Sequence, residues 1–354
     1  MKPTVDESIC VFGSGAILRH TGAMRAEMAG VREAKDIEYV HRMRVASRRL
    51  RTALAIFPRC LPSKKLNNWQ KEIRAITKAL GAARDTDVQL ELLERIYRGA
   101  PLPQQRPGLQ RLALRLYQSR ARLQSKVLAA LDSLEASQAL DQLEAAVADY
   151  TARQEQVYIF TPALYQLGNQ SIGASLDQFL AYSDIVSQPE EVEKLHAMRI
   201  AAKHLRYSME TFAPLYPEEL KRFITVLRKA QEALGDVHDC DVWGVFLPEF
   251  RQKEAERVFR YFGTRAPFRE LEAGLDYFAE NRRAMRDNVY TKFVEDWANW
   301  QQKMVWPELR DQINRPLFLP QRISPVPRPQ PEAAQDTEST APEVTPAPEG
   351  DPQP

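Results

Sequence analysis

The chain has 354 residues, 44% apolar and 27% charged, proportions that fit a folded globular protein and exclude wholesale disorder. It contains no run of 18 apolar residues, which argues against a membrane span, and Met1 to Cys10 lacks the apolar core of a signal peptide. The net charge of +2 hides an asymmetry: residues 330–354 carry six acidic residues and no Lys or Arg, leaving 49 basic against 41 acidic residues over 1–329. A basic body favours polyanionic partners such as nucleic acid, phosphate polymers or anionic lipid, without choosing among them. Three cysteines, Cys10, Cys60 and Cys240, do not make a disulfide framework in a chain this long, so a reducing cytoplasm is the default expectation.

Residues 1–315 are rich in Leu, Ala, Arg, Glu and Gln, strong helix formers, and show no alternating apolar/polar strand. The expected fold class is all-α. Loops are expected at 58–62, 99–103, 106–108, 188–189 and 214–217, where Pro and Gly concentrate. Residues 109–148 read as one long helix or two. Beyond them the helical pattern resumes to about 315. Eleven of the 24 prolines then fall in 316–354, and this Pro-rich acidic stretch is too poor in bulky apolar residues to offset ordering entropy, so a disordered tail is expected there.

The body repeats itself. Residues 40–57 and 195–212 share His, Met, Arg, Ala, Leu, Arg and Phe at an offset of 155, and residues 79–88 match 233–242 at an offset of 154, both around a Leu-Gly step followed by paired Asp. Two matches in one order and nearly one register predict two copies of a helical unit, spanning about 8–150 and 151–315, packed as pseudo-symmetric halves.

Each copy of the repeated helix has two faces. At about 100° per residue, Met43, Ala46, Leu50, Leu54 and Phe57 form an apolar side, and His41, Arg44, Arg48 and Arg51 share a flank roughly 80° wide. In the second copy Met198, Ala201, Leu205, Met209 and Phe212 oppose His196, Arg199, Lys203 and Arg206. Pro58 and Pro214 end the two helices, and residues 187–190 (Ser-Gln-Pro-Glu) resemble a capping box opening the second. One basic helix flank is ordinarily a solvated surface, its stems lying over apolar neighbours. Like charges stacked twice over, with no acidic residue between them, point instead to a site that a polyanion neutralises.

The helix before each Leu-Gly extends the surface. Arg74 and Lys78, with Lys71, lie opposite Trp69, Ile73, Ile76 and Leu80. In the second half only Arg228 and the flanking Lys229 are basic, and Glu232 stands where the first half has Lys78, so the first half looks the stronger binder. Arg282, Arg283 and Arg286 read either as an extension of the surface or as ordinary exposed residues. The Asp85/Asp87 and Asp239/Asp241 pairs read as helix N-caps or as carboxylates orienting arginines of the repeated helix; two carboxylates alone are a weak metal site.

His41-Arg-Met-Arg44, Arg48-Arg-Leu-Arg51 and Leu80-Gly-x-x-Arg-Asp85-x-Asp-Val88, with their second-half counterparts, resemble the CHAD family, the conserved histidine α-helical domain, over about residues 8–315. The resemblance implies two helical bundles about a pseudo-twofold axis and a basic central surface that binds inorganic polyphosphate without hydrolysing it. It also implies association with polyphosphate granules in a bacterial cytoplasm. The second half departs at His204, which stands where the first has Arg49. On this reading His41, Arg44, Arg48, Arg51, Arg74, Lys78, His196, Arg199, Lys203, Arg206 and Arg228 contact phosphate oxygens, with no cofactor.

Two other classes compete. A general nucleic-acid-binding module fits the charge footprint, although the flank of 40–57 has no aromatic residue on which bases would stack. An enzyme would need a site the chain does not spell: the five histidines, His20, His41, His196, His204 and His238, form no H-E-x-x-H spacing, and there is no P-loop or G-x-S-x-G.

Overall fold

The computed structural model describes residues 6–216 and 218–318. Among them there are ten α-helices and no strand, as composition predicts. α1 (Glu7–Glu33) and α2 (Ile37–Ile56) each begin on an aspartate: the Asp6 and Asp36 carboxylates accept from the Ser8 and Glu38 backbone N–H groups at 2.9 Å, satisfying donors that a helix start leaves free. α3 (Ser63–Arg98), α4 (Arg106–Ala136) and α5 (Ala139–Thr151) complete the first half. The 109–148 stretch is thus two helices, broken at Gln138, whose φ of 51° is left-handed. The second half is α6 (Pro162–Leu180), α7 (Val192–Phe212), α8 (Lys221–Phe262), α9 (Arg269–Gln302) and α10 (Val305–Phe318). No helix is long and apolar enough to cross a membrane among the described residues.

Neighbours repeat with order. α1 packs on α2 and α5, α2 on α3, and α3 on α4; likewise α6 packs on α7 and α10, α7 on α8, and α8 on α9. The halves meet where α2 touches α7, α4 touches α9 and α1 touches α6. Every residue assigned to the apolar sides of α2 and α7 is buried, and Phe57 and Phe212, the shared phenylalanines, lie 6.0 Å apart across the junction. The halves do not have separate cores. One apolar cluster joins α2 and α3 to α7, α8 and α10. A second joins Leu93, Ile96, Leu109 and Leu112 to Trp243, Leu275 and Phe278.

Four expectations are corrected. Residues 106–108 are not a loop: Pro107 sits in the first turn of α4, where its missing N–H costs nothing. Gly108 meets Gly274 of α9 so closely that a Cβ on either would strike backbone. Residues 187–190 do not cap α7; Glu191 precedes the helix and no side chain caps it. Residues 316–318 continue α10, and the remainder of the expected tail, 319–354, lies outside the described residues. Cys10 and Cys60 are not free thiols: they form a buried disulfide across a separation of 50 residues, while Cys240 is free and buried.

Candidate polyanion cleft

The basic flanks of α2 and α7 face each other across the junction, with α3 and α8 flanking them, and enclose a cleft of about 520 Å³. His41, Arg44 and Arg48 line it from the first half; His196, Arg199, Lys203 and Arg206 line it from the second. Beyond Arg48 and Tyr207 lies a second compartment of about 390 Å³, holding Arg51, Arg74 and His204 with the hydroxyls of Thr52, Ser175 and Ser208. Seven of the expected residues thus share one cleft and two more share its neighbour. Lys78 and Arg228 line neither. Both are exposed on α3 and α8, outside the space between the crossing helices.

The Leu-Gly step has a steric role. α3 and α8 run unbroken through Gly81 and Gly235, so the following aspartates are not N-caps. A Cβ at Gly81 would sit 3.6 Å from Arg44 Nε, and one at Gly235 would sit 3.7 Å from Arg199 Nε. A Cβ at either glycine would thus already be in van der Waals contact with the arginine, and a longer side chain would compete with it for that space. The first aspartate of each pair then faces that arginine: Arg44 Nη2 is 3.6 Å from Asp85 Oδ1, and Asp239 is the leading opposite charge acting on Arg199. The second aspartate braces the scaffold instead, Asp87 bonding Arg120 and Asp241 bonding Arg286.

The halves also differ in how their arginines are paired. Glu210 stands in α7 where α2 has Ala55. It takes Arg206 Nη1 at 3.2 Å and Arg49 Nη2 at 3.0 Å, while Arg206 Nε also donates to Gln231 at 2.9 Å. Arg206 is therefore neutralised, and its first-half counterpart Arg51 is not. Arg228, the counterpart of Arg74, lines neither compartment.

What remains is concentrated, unbalanced charge. Arg48, Arg51, Arg199 and Lys203 have no carboxylate oxygen within 4 Å among the described residues. Arg199 Nε is buried with no hydrogen-bond partner, as is His41 Nδ1. Lys203 is only 8% exposed, and burial, then Arg199, Arg48 and Arg44, push its ammonium down to about 7. Burial also lowers His196, with Arg199 and Lys203 adding to the effect. His41 is lowered by burial and Arg84; His204 by burial, Arg48 and Arg51. Unpaired buried cations are costly, and an anion with several oxygens would relieve all of them at once.

Sequence reasoning missed Arg84, His238 and Tyr207. Arg84 and His238 occupy equivalent places, one turn past each glycine, and both line the cleft. Helical spacing from Gly81 and Gly235 was the available signal. His238 Nδ1 lies 3.0 Å from His196 Nδ1, so one neutral ring donates to the other, and burial, Arg199 and His196 lower its pKa to about 4. Tyr207 is an aromatic residue in the site, but its ring is buried, with the Arg48 and Arg206 guanidinium carbons 5.5 and 5.1 Å from its centroid. Its π-faces are occupied by arginines, leaving no open stacking platform for a base.

The family model for the CHAD domain matches residues 15–248. The structure is similar to that of the CHAD domain from the plant Ricinus communis, with a TM-score of 0.53 and 20% identity over 88% of this chain and 92% of that one. It is also similar to PptA from Streptomyces chartreusis, with a TM-score of 0.51 and 16% identity over 81% of this chain and 98% of that one. No curated protein matches the chain. A family match over roughly two thirds of the sequence, on the segment that carries both copies of the repeated helix, makes this chain a member of the CHAD family.

Proposed function

We propose that this protein binds inorganic polyphosphate in the cleft between α2 and α7 and does not hydrolyse it. The observation that carries the reading is Lys203, buried beside Arg199, Arg48 and Arg44 without a carboxylate partner. A linear polyanion with one charge per phosphorus, and no bases to stack, matches a two-compartment cleft lined with guanidinium groups whose one central tyrosine is covered. Arginines suit phosphate oxygens because their planar forks donate two parallel bonds. Membership of the CHAD family supports the same polymer. The binding residues are His41, Arg44, Arg48, His196, Arg199, Lys203 and Arg206 in the cleft, with Arg51 and Arg74 continuing the path.

The test is titration of the full chain and of Arg44→Glu with Arg199→Glu with long-chain polyphosphate, circular dichroism checking helicity. The double variant loses at least a hundredfold in affinity while its helix content stays unchanged. Arg44→Gln with Arg199→Gln serves where charge reversal unfolds the chain. Unchanged affinity in a folded double variant rejects the site. Phosphate release from polyphosphate by the pure protein rejects the non-catalytic reading.

A further inference from the structure

A second cavity, of about 570 Å³, lies on the other flank of α8, between α8 and α9, with Val192 on its lining. Its volume is that of a small-molecule pocket. Leu247, Pro248 and Ala279 give it apolar walls, and four arginines, Arg251, Arg282, Arg283 and Arg286, surround them. Two of these arginines are already used. Arg251 pairs with Asp276 at 2.6 Å, and Arg286 pairs with Asp241 and donates to the Pro189 carbonyl at 2.7 Å. The other two have no carboxylate within 4 Å among the described residues. Arg282 Nη2 donates to Asn281, but its Nε is buried with no partner. Arg283 is exposed and makes no hydrogen bond among the described residues. Only Glu280 remains on the lining to oppose them.

The lining of this cavity also includes a proline inside a helix. Pro248 lies inside α8 and has no N–H to give the carbonyl of Gly244, its partner four residues back. Gly244 lines the cavity, and a Cβ built on it meets nothing within 4 Å. A helix that keeps both a proline and a glycine at this point gives up propensity and leaves open space on the cavity lining.

We infer that the α8–α9 groove binds a small amphipathic anion, with a carboxylate or phosphate head against Arg282 and Arg283 and an apolar body over Gly244, Leu247, Pro248 and Ala279. This site is separate from the polyphosphate cleft: Asp239 and Val242 face the cleft, whereas Asp241, Gly244 and Val245 face the groove. The charge does not suit a polymer, because the net excess of the lining is one positive charge.

The experiment uses 8-anilino-1-naphthalenesulfonate, an amphipathic anion whose fluorescence rises in apolar surroundings, with the full chain. One site per chain is expected. Gly244→Leu, whose Cβ meets nothing within 4 Å and whose longer side chain would occupy the cavity, should abolish it. Arg283→Gln should weaken it about tenfold, and Lys203→Met in the cleft should leave it unchanged. Displacement by AMP assigns a phosphate head, and displacement by decanoate a carboxylate head. No stoichiometric binding, binding that survives Gly244→Leu, binding lost with Lys203→Met, or displacement by neither competitor overturns the inference.

Discussion

Lys203 is a cleft residue whose cost to the fold can be worked out. In the unfolded chain its ammonium titrates at 10.5, and in the folded chain at about 7. Because the folded pKa is the lower one, the unfolded state holds the extra proton between these values, and stability rises with pH across that window. Below about pH 7 the full penalty applies: 3.5 pKa units at 1.36 kcal/mol each, or about 5 kcal/mol. A methionine of similar length has no such charge. Lys203→Met is therefore expected to be more stable than the parent by several kcal/mol at pH 6–7, with the gain shrinking steadily towards pH 10.5. It should also bind polyphosphate less tightly. Urea unfolding of both proteins at unit steps from pH 6 to pH 10 reads this difference, the pH dependence common to both cancelling. A stability gap that stays flat across the range would refute the claim that Lys203 is held charged against its environment.

The same desolvation makes binding pH-dependent: an anion beside Lys203 restores its proton, so polyphosphate affinity should fall by up to tenfold per pH unit above about 7, measured by calorimetry in buffers of different ionisation heat to count the proton taken up. Glu210→Ala should release Arg206 and Arg49 and tighten polyphosphate binding several-fold with a steeper salt dependence; weaker binding would mean that Glu210 positions these arginines rather than blocking them. Gly235→Leu should displace the Arg199 guanidinium and weaken binding at least tenfold without loss of helicity, as titration of the variant would show. The Cys10–Cys60 bridge closes a 50-residue separation, which chain entropy values at about 4 kcal/mol. Cys10→Ser with Cys60→Ser should lose about that much in urea unfolding, and mass spectrometry of protein from its native cell would show whether the bond forms there, as an oxidising compartment would allow.

The fold class and most of the cleft were legible because both rest on periodicity. The repeat placed His41 opposite Met43 and Leu50, and His196 opposite Met198 and Leu205, and burial follows that division except at Lys203, a basic-flank residue only 8% exposed. It could not say that the two basic flanks face each other, since this depends on α2 crossing α7. The Leu-Gly-Asp motif is visible but reads in part as a helix start, because glycine ordinarily weakens a helix; only the structure shows α3 and α8 running through it with an arginine packed beside each glycine. Lys78 and Arg228 were chosen by charge and helix face, which say nothing about distance from the crossing point. The asymmetry was half seen. His204 and Glu232 are visible in the sequence, but the pairing of Glu210, which stands where the first half has Ala55, with Arg206 and Arg49 is not. The disulfide was not legible at all, because three widely spaced cysteines carry no pairing information until α1 and the turn after α2 are brought together.

The most direct test of the account is a titration of the purified chain with long-chain polyphosphate in competition with single-stranded DNA of equal charge, at low and physiological salt. A cleft whose tyrosine is covered by arginines and whose buried cations want phosphate oxygens predicts tight binding at both salts that DNA does not displace. Weak binding, or binding that DNA displaces at matched charge, would contradict it and show the basic surface to be a general polyanion site.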